Sequence, residues 1–222
     1  FDVHHNSPYS EITISSGGVH TCAILDDGSV SCSGRNNKGQ LGDGTYTDRN
    51  TPTKTSSLGT GRTAVAISSG NVHTCAILDD GTVSCWGWNG YGRLGDGTTT
   101  QRNTPTQTSS LGTGRTAIAI SSGHYHTCAI LDDGSVSCWG YNGGGQLGDG
   151  TYTDRFTPTQ TSSLRIGRTA VALSSGDYHT CAILDDATVS CWGDNWKGQL
   201  GDGTTTERNT PAQTSTLGTG RT

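Results

Sequence analysis

An all-β chain, a β-propeller of four repeats each forming a four-stranded blade, is the architecture that three features of these 222 residues predict. The first is a strict internal period. Cys22, Cys75, Cys128 and Cys181 lie 53 residues apart, as do Cys32, Cys85, Cys138 and Cys191, and as do Pro52, Pro105, Pro158 and Pro211. A period in this range marks a propeller, a solenoid or an array. The second is composition: 30% hydrophobic residues and 34 glycines do not suit a helical bundle, and no segment carries a sustained helical apolar period. The third is the presence of short strand-like segments separated by Gly, Asn and Asp turns, four to each period, which is the blade pattern.

The period divides the chain into an N-terminal extension, 1–10, and blades at 11–63, 64–116, 117–169 and 170–222. The second unit justifies each strand. Ala64 to Ser69 follows a Gly-Thr-Gly-Arg turn and stops at Gly70, so it reads as a first strand. His73 to Leu78 reads as a second and Thr82 to Gly87 as a third. Between them, Asp79, Asp80 and Gly81 suit a three-residue hairpin loop with glycine in the left-handed position. A long Gly- and Asn-rich connection leads to a fourth strand around Pro105 to Ser109, the weakest of the four patterns. Ala187 stands where the other units place the turn glycine, which predicts that the fourth hairpin is strained or uses another turn.

Hairpin register sets the cysteine chemistry. With Asp79 to Gly81 as the loop, Leu78 faces Thr82 and, counting outward, Cys75 faces Cys85 at a non-hydrogen-bonded site, where side chains approach most closely. The same register pairs Cys22 with Cys32, Cys128 with Cys138 and Cys181 with Cys191, predicting four disulfides within blades, each closing a short loop worth about 2 to 3 kcal/mol. Zinc would need clustered ligands that these spacings lack. Four disulfides imply an oxidising compartment, extracellular, periplasmic or on the cell surface. The chain begins at Phe1 and contains no methionine, which reads as a processed or excised product whose export signal is not in view.

The stretch GNVHTCAILDDGTVSCWGWNGYGRLGDGT, followed by a Thr-Pro pair, resembles the repeat of the regulator of chromosome condensation propellers. In that repeat a G-x-x-H-T strand, a D-G turn, a W-G-x-N strand end and a G-Q-L-G-x-G-T loop recur in this order. The resemblance covers all four units and implies a propeller fold. It also implies a departure, because the family's propellers usually have seven blades and four units are present. A second departure is Ser33, which stands where the other units carry Trp86, Trp139 and Trp192. The family's best-known role, nucleotide exchange on a nuclear GTPase with chromatin binding, fits poorly with a disulfide-paired chain. Nucleic acid is further disfavoured by a net charge of −5, and no window is apolar enough to span a membrane.

Candidate sites follow from what repeats and what does not. His20, His73, His126 and His179 recur once per blade and read as structural, each donating to a neighbouring backbone carbonyl; no metal site is expected. Asp43, Asp96, Asp149 and Asp202 read as turn formers, with Arg49, Arg102, Arg155 and Arg208 as pairing candidates. Calcium is disfavoured because Asp48 and Asp154 give way to Gln101 and Glu207 in the other units. Gly59 to Ala64 and Gly112 to Ala117 match a relaxed dinucleotide fingerprint, but each precedes a strand and lacks the phosphate-binding helix. No catalytic constellation is recognisable, so no enzyme and no cofactor is expected.

The positions that differ between copies carry aromatic residues in polar loops: Trp88, Tyr91, Tyr125, Tyr141, Tyr178 and Trp196. These are the candidate ligand-binding residues of a module that recognises a protein or cell-surface ligand. Four units predict a partial or oligomer-completed propeller with open apolar faces on the first and last blades, including Ile12, Ile14, Val189 and Trp192. The chain is then either a piece of a longer propeller or self-associates through blades 1 and 4, up to head-to-tail assembly into a ring or filament, with four-bladed closure in one chain as the alternative.

Overall fold

The computed structural model describes residues 13–215, so the extension at 1–10 and Ile12 lie outside the described residues. Among the described residues, sixteen strands form four antiparallel sheets, each built from consecutive strands. Blade 1 holds β1 (Ile14–Ser16), β2 (His20–Ile24), β3 (Val30–Gly34) and β4 (Arg49–Lys54). Blade 2 holds β5 (Ala64–Ser69), β6 (His73–Leu78), β7 (Val83–Gly87) and β8 (Arg102–Gln107). Blade 3 holds β9 (Ala117–Ser122), β10 (His126–Leu131), β11 (Val136–Gly140) and β12 (Arg155–Gln160). Blade 4 holds β13 (Ala170–Ser175), β14 (His179–Leu184), β15 (Val189–Gly193) and β16 (Arg208–Gln213).

The central hairpins have the register read from sequence. Leu78 N–H donates to Thr82 O at 2.8 Å, and Cys75 faces Cys85. All four disulfides are present, Cys22–Cys32, Cys75–Cys85, Cys128–Cys138 and Cys181–Cys191, each with Cα atoms 4.1 Å apart at the narrow site of the ladder. Ala187 takes φ +62 in the fourth hairpin, doing the work of Gly28, Gly81 and Gly134 at the cost of left-handed strain. The fourth strand starts earlier than its sequence pattern, at Arg102 in blade 2. It is an outer edge with no buried side chain, so it leaves no apolar alternation to read, and it accommodates Pro105 where a central strand would not.

The core lies in the seams between blades. Cys22, Ile24 and Leu41 of blade 1 pack with Ala76, Leu78 and Trp86 of blade 2, and equivalent clusters join blades 2 to 3 and 3 to 4. First strands follow one another in chain order, β1 on β5, β5 on β9 and β9 on β13. Strands β6 and β10 are therefore buried on both faces. Strand β2 buries only His20, Cys22 and Ile24, and β14 buries only Thr180, Ala182 and Leu184. Among the described residues, nothing covers one face of blade 1 and one face of blade 4. Of the residues expected there, Ile14 is exposed and Val189 half-buried. Trp192 is a correction: it is fully buried, because its indole points back into blade 3 against Gly148.

The four-fold histidines also require a correction. They do not hold their own blades through backbone carbonyls. His20 Nε2 meets Thr74 Oγ1 at 2.7 Å, His73 meets Thr127 at 2.9 Å, and His126 meets Thr180 at 2.8 Å, each across a seam. The threonine hydroxyls donate onward to the carbonyls of Gln40, Arg93 and Gln146, so each accepts from a histidine Nε2–H, and Nδ1 is left bare and buried. Burial holds the His20 pKa down to about 4 and that of His126 to about 3. The expected Asp and Arg pairs do form: Asp43 with Arg49, Asp96 with Arg102, Asp149 with Arg155 and Asp202 with Arg208, at 2.7 to 2.8 Å, while each aspartate also caps its own turn.

Candidate functional site: an aromatic patch at the hairpin ends

Each central hairpin continues one residue beyond its ladder. After the last pair, His73 with Gly87, the Trp88 N–H donates to Val72 O at 3.0 Å; Tyr141 does the same to Tyr125 O, and Asp194 to Tyr178 O. This register places the side-by-side pairs Val72 and Trp88, Tyr125 and Tyr141, and Tyr178 and Asp194 at the same end of blades 2, 3 and 4.

Their rings meet across the blades. Tyr91 lies 5.0 Å from Tyr141 and 6.2 Å from Trp88, Tyr125 lies 5.3 Å from Tyr178, and Tyr125 and Tyr141 are 6.0 Å apart, all within the range of favourable aromatic pairing. Five of the six candidate aromatics therefore form one patch. Trp196 is not among them: it is 65% exposed, and the Lys197 ammonium sits 4.2 Å from its ring. Glycines two residues after Trp88 and Tyr141 explain the difference. A Cβ at Gly90 would strike the Trp88 ring, and one at Gly143 the Tyr141 ring, whereas blade 4 has Asp194 followed two residues later by Trp196 itself.

Arg93 and His124 complete the patch. Arg93 stands where the other units have Gln40, Gln146 and Gln199. Each glutamine Oε1 accepts from the N–H two residues earlier, at 2.8 to 2.9 Å. Arginine has no acceptor, and the Tyr91 backbone in that place takes φ +68, which carries its ring toward Tyr141. The Arg93 guanidinium is fully buried beneath the rings, 4.1 Å from the Trp88 centroid and 5.1 Å from that of Tyr125. Its Nη1 donates to His124 O at 2.6 Å and Nε to Gly90 O at 3.1 Å, while Nη2 has no partner. Burial lowers its pKa to about 10, which leaves it charged at neutral pH. The one unit that departs from Gln was the signal available in sequence.

His124 stacks 4.0 Å from Tyr125, bonds Asn71 Nδ2 through Nε2 at 2.7 Å and lies 3.5 Å from Asp177. Asn71, His124 and Asp177 occupy one position in successive blades and line a polar cavity of 190 Å³ where the first strands converge. A hydrogen bond with Tyr125 pushes the Tyr178 phenol up to about 12, so this ring is neutral. The patch is thus a set of rings over one buried cation, with carboxylates at its blade 4 side. Among the described residues no group of three or more His, Cys, Asp and Glu side chains could hold a metal ion.

Four-stranded blades joined by seam cores, with a non-repeating loop surface at one end, define a β-propeller of the protein-interaction kind. The chain belongs to the regulator of chromosome condensation (RCC1) repeat family: one model of that repeat matches residues 27–77, 80–130 and 133–183, and a second matches 12–40, 64–93, 117–146 and 170–199. It is 35% identical over 213 residues to the ultraviolet-B receptor UVR8 of Arabidopsis thaliana, across 95% of this chain and 48% of that protein. It is 31% identical to the human E3 ubiquitin-protein ligase HERC2, across 93% of this chain but 4% of that protein. The chain thus spans about half of UVR8 and a small part of HERC2. Human WBSCR16 shares its fold with a TM-score of 0.82 at 21% identity, over 96% of this chain and 55% of that one. Yeast RCC1, solved bound to Kap60, does so with a TM-score of 0.77 at 22% identity, over 96% and 51%.

Proposed function

We propose that this protein is a non-enzymatic binding module of an extracellular, periplasmic or cell-surface compartment, and that it grips a protein or surface ligand with the aromatic patch. One observation carries this reading: Trp88, Tyr91, Tyr125, Tyr141 and Tyr178, none of them fixed by the repeat, converge at one end of three blades over the buried Arg93. Aromatic side chains in a cluster, with an arginine held among them, are the residue types that carry most interface energy. The four disulfides support the oxidising compartment. Protein binding also suits the fold relatives, since yeast RCC1 was crystallised with Kap60 and its binding to Gsp1p and histones was measured.

The test is a combined Trp88→Ala, Tyr141→Ala and Tyr178→Ala variant, compared with Trp196→Ala in chemical cross-linking to extracellular proteins and surface glycans. The triple variant should lose the cross-linked products, at about 2 kcal/mol or more per anchoring ring, with little change in melting temperature. Trp196→Ala should retain them. Unchanged products in the triple variant would remove the patch from the binding function.

A further inference from the structure

Blade 2 carries the loop that makes the patch, and that loop is more strained than its three sister loops. In the sisters, Lys38, Gly144 and Lys197 donate their N–H groups to Gln40, Gln146 and Gln199. Neither lysine takes a positive φ, whereas Tyr91 in the same place takes φ +68, a conformation that bulky side chains resist. The neighbouring seam is altered too. Trp86 and Trp192 donate to the carbonyls of Gln40 and Gln146, at 3.0 and 2.9 Å, but Trp139, the equivalent residue in the seam that Arg93 enters, is buried with Nε1 unpaired. A buried donor without a partner destabilises the fold. Finally, a charged guanidinium is fully buried where Gln40 and Gln146 bury a neutral amide, and a charge loses more on leaving water.

What the strain maintains is the meeting of the rings. Arg93 Nε donates to Gly90 O within its own loop and Nη1 to His124 O in the turn before β10, while the guanidinium faces Trp88 and Tyr125. One side chain therefore ties the blade 2 loop to blade 3. A glutamine here would offer Oε1 to the Tyr91 N–H, as the sister loops do, and draw residue 91 back to negative φ. Tyr91 would then leave Tyr141, whose ring it meets at 5.0 Å. Strain held in one copy, beside three copies that avoid it, points to function. We infer that Arg93 is the positioning residue of the aromatic patch, assembling the rings and lowering the stability of the fold as it does so. Its purpose rests on the binding role proposed above; its geometry does not.

The variant Arg93→Gln of the 222-residue chain gives blade 2 the residue that its sister units already carry. The seam contact at this position runs through the backbone, since Thr74, Thr127 and Thr180 all donate to a carbonyl here. The variant should therefore keep its four disulfides, checked by intact mass under non-reducing conditions, and melt at the parent temperature or about 2 to 4 °C above it. In nuclear magnetic resonance spectra, the Overhauser contacts between the Tyr91 and Tyr141 rings should disappear, while those between His126 and Thr180 remain. Cross-linking to extracellular proteins and surface glycans should fall by about tenfold or more. A folded variant that keeps the Tyr91 and Tyr141 contacts would overturn the inference. So would one that melts well below the parent, since Arg93 would then be an ordinary member of the core. Lost ring contacts with unchanged cross-linking would support Arg93 as the positioning residue and would instead remove the patch from the binding function.

Discussion

The seams and the aromatic patch draw on adjacent residues and behave in opposite ways. His126 and Tyr125 are neighbours in sequence, yet His126 repeats in every blade and is buried against Thr180, whereas Tyr125 replaces Val72 and lies among rings that belong to no repeat. Trp139 and Tyr141 form a similar pair, two residues apart, with Trp139 fully buried in a seam and Tyr141 in the patch. A strict period therefore marks residues whose partner is the next blade. A broken period marks residues free to face something else.

Acid should break the seam side of this comparison with the largest effect. His20, His73 and His126 are neutral when folded, with pKa values lowered by burial. Unfolded histidine titrates near 6.5, so the unfolded chain takes up protons that the folded chain refuses. Stability is then full above about pH 6.5 and falls as pH drops toward about 4, by roughly 1.4 kcal/mol per pH unit for each histidine. Melting temperatures across this range should decline steeply. A flat profile would mean that these imidazoles are not held neutral by the seams.

Truncation separates the two regions within one blade. Trp139→Ala should cost about 3 to 5 kcal/mol by opening a cavity against Gly95, and Tyr141→Ala about 1 kcal/mol or less. Chemical denaturation of the two variants measures both, and similar losses would make the patch a second core. The smallest effect sharpens the comparison from the turn side. Ala187→Gly should raise stability by up to about 1 kcal/mol, because it relieves the only non-glycine residue at this hairpin position, while leaving both seam and patch untouched.

The sequence was most legible where partners are close along the chain. Cys75 and Cys85 are joined by a three-residue turn, so counting outward from Asp79 to Gly81 was enough to place the disulfide. The family repeat was legible for a related reason, since each motif occupies one hairpin or one loop. The same count, extended three residues beyond the disulfide, would have set Tyr125 beside Tyr141. It could not have predicted that Tyr91 reaches Tyr141, because that contact depends on a backbone turned to φ +68 next to Arg93 and on the packing of blade 2 against blade 3.

By itself, then, the sequence determined the four-fold period, the hairpin register and the cysteine pairing, all consequences of local geometry and two-residue alternation. Only the tertiary structure decided that the histidines lock neighbouring blades, that Trp192 turns inward and that Trp196 stands apart from the other aromatics. These contacts join residues some 54 positions apart, as His126 and Thr180 are, and their geometry comes from how one sheet is stacked on the next, a relation no single blade's sequence contains.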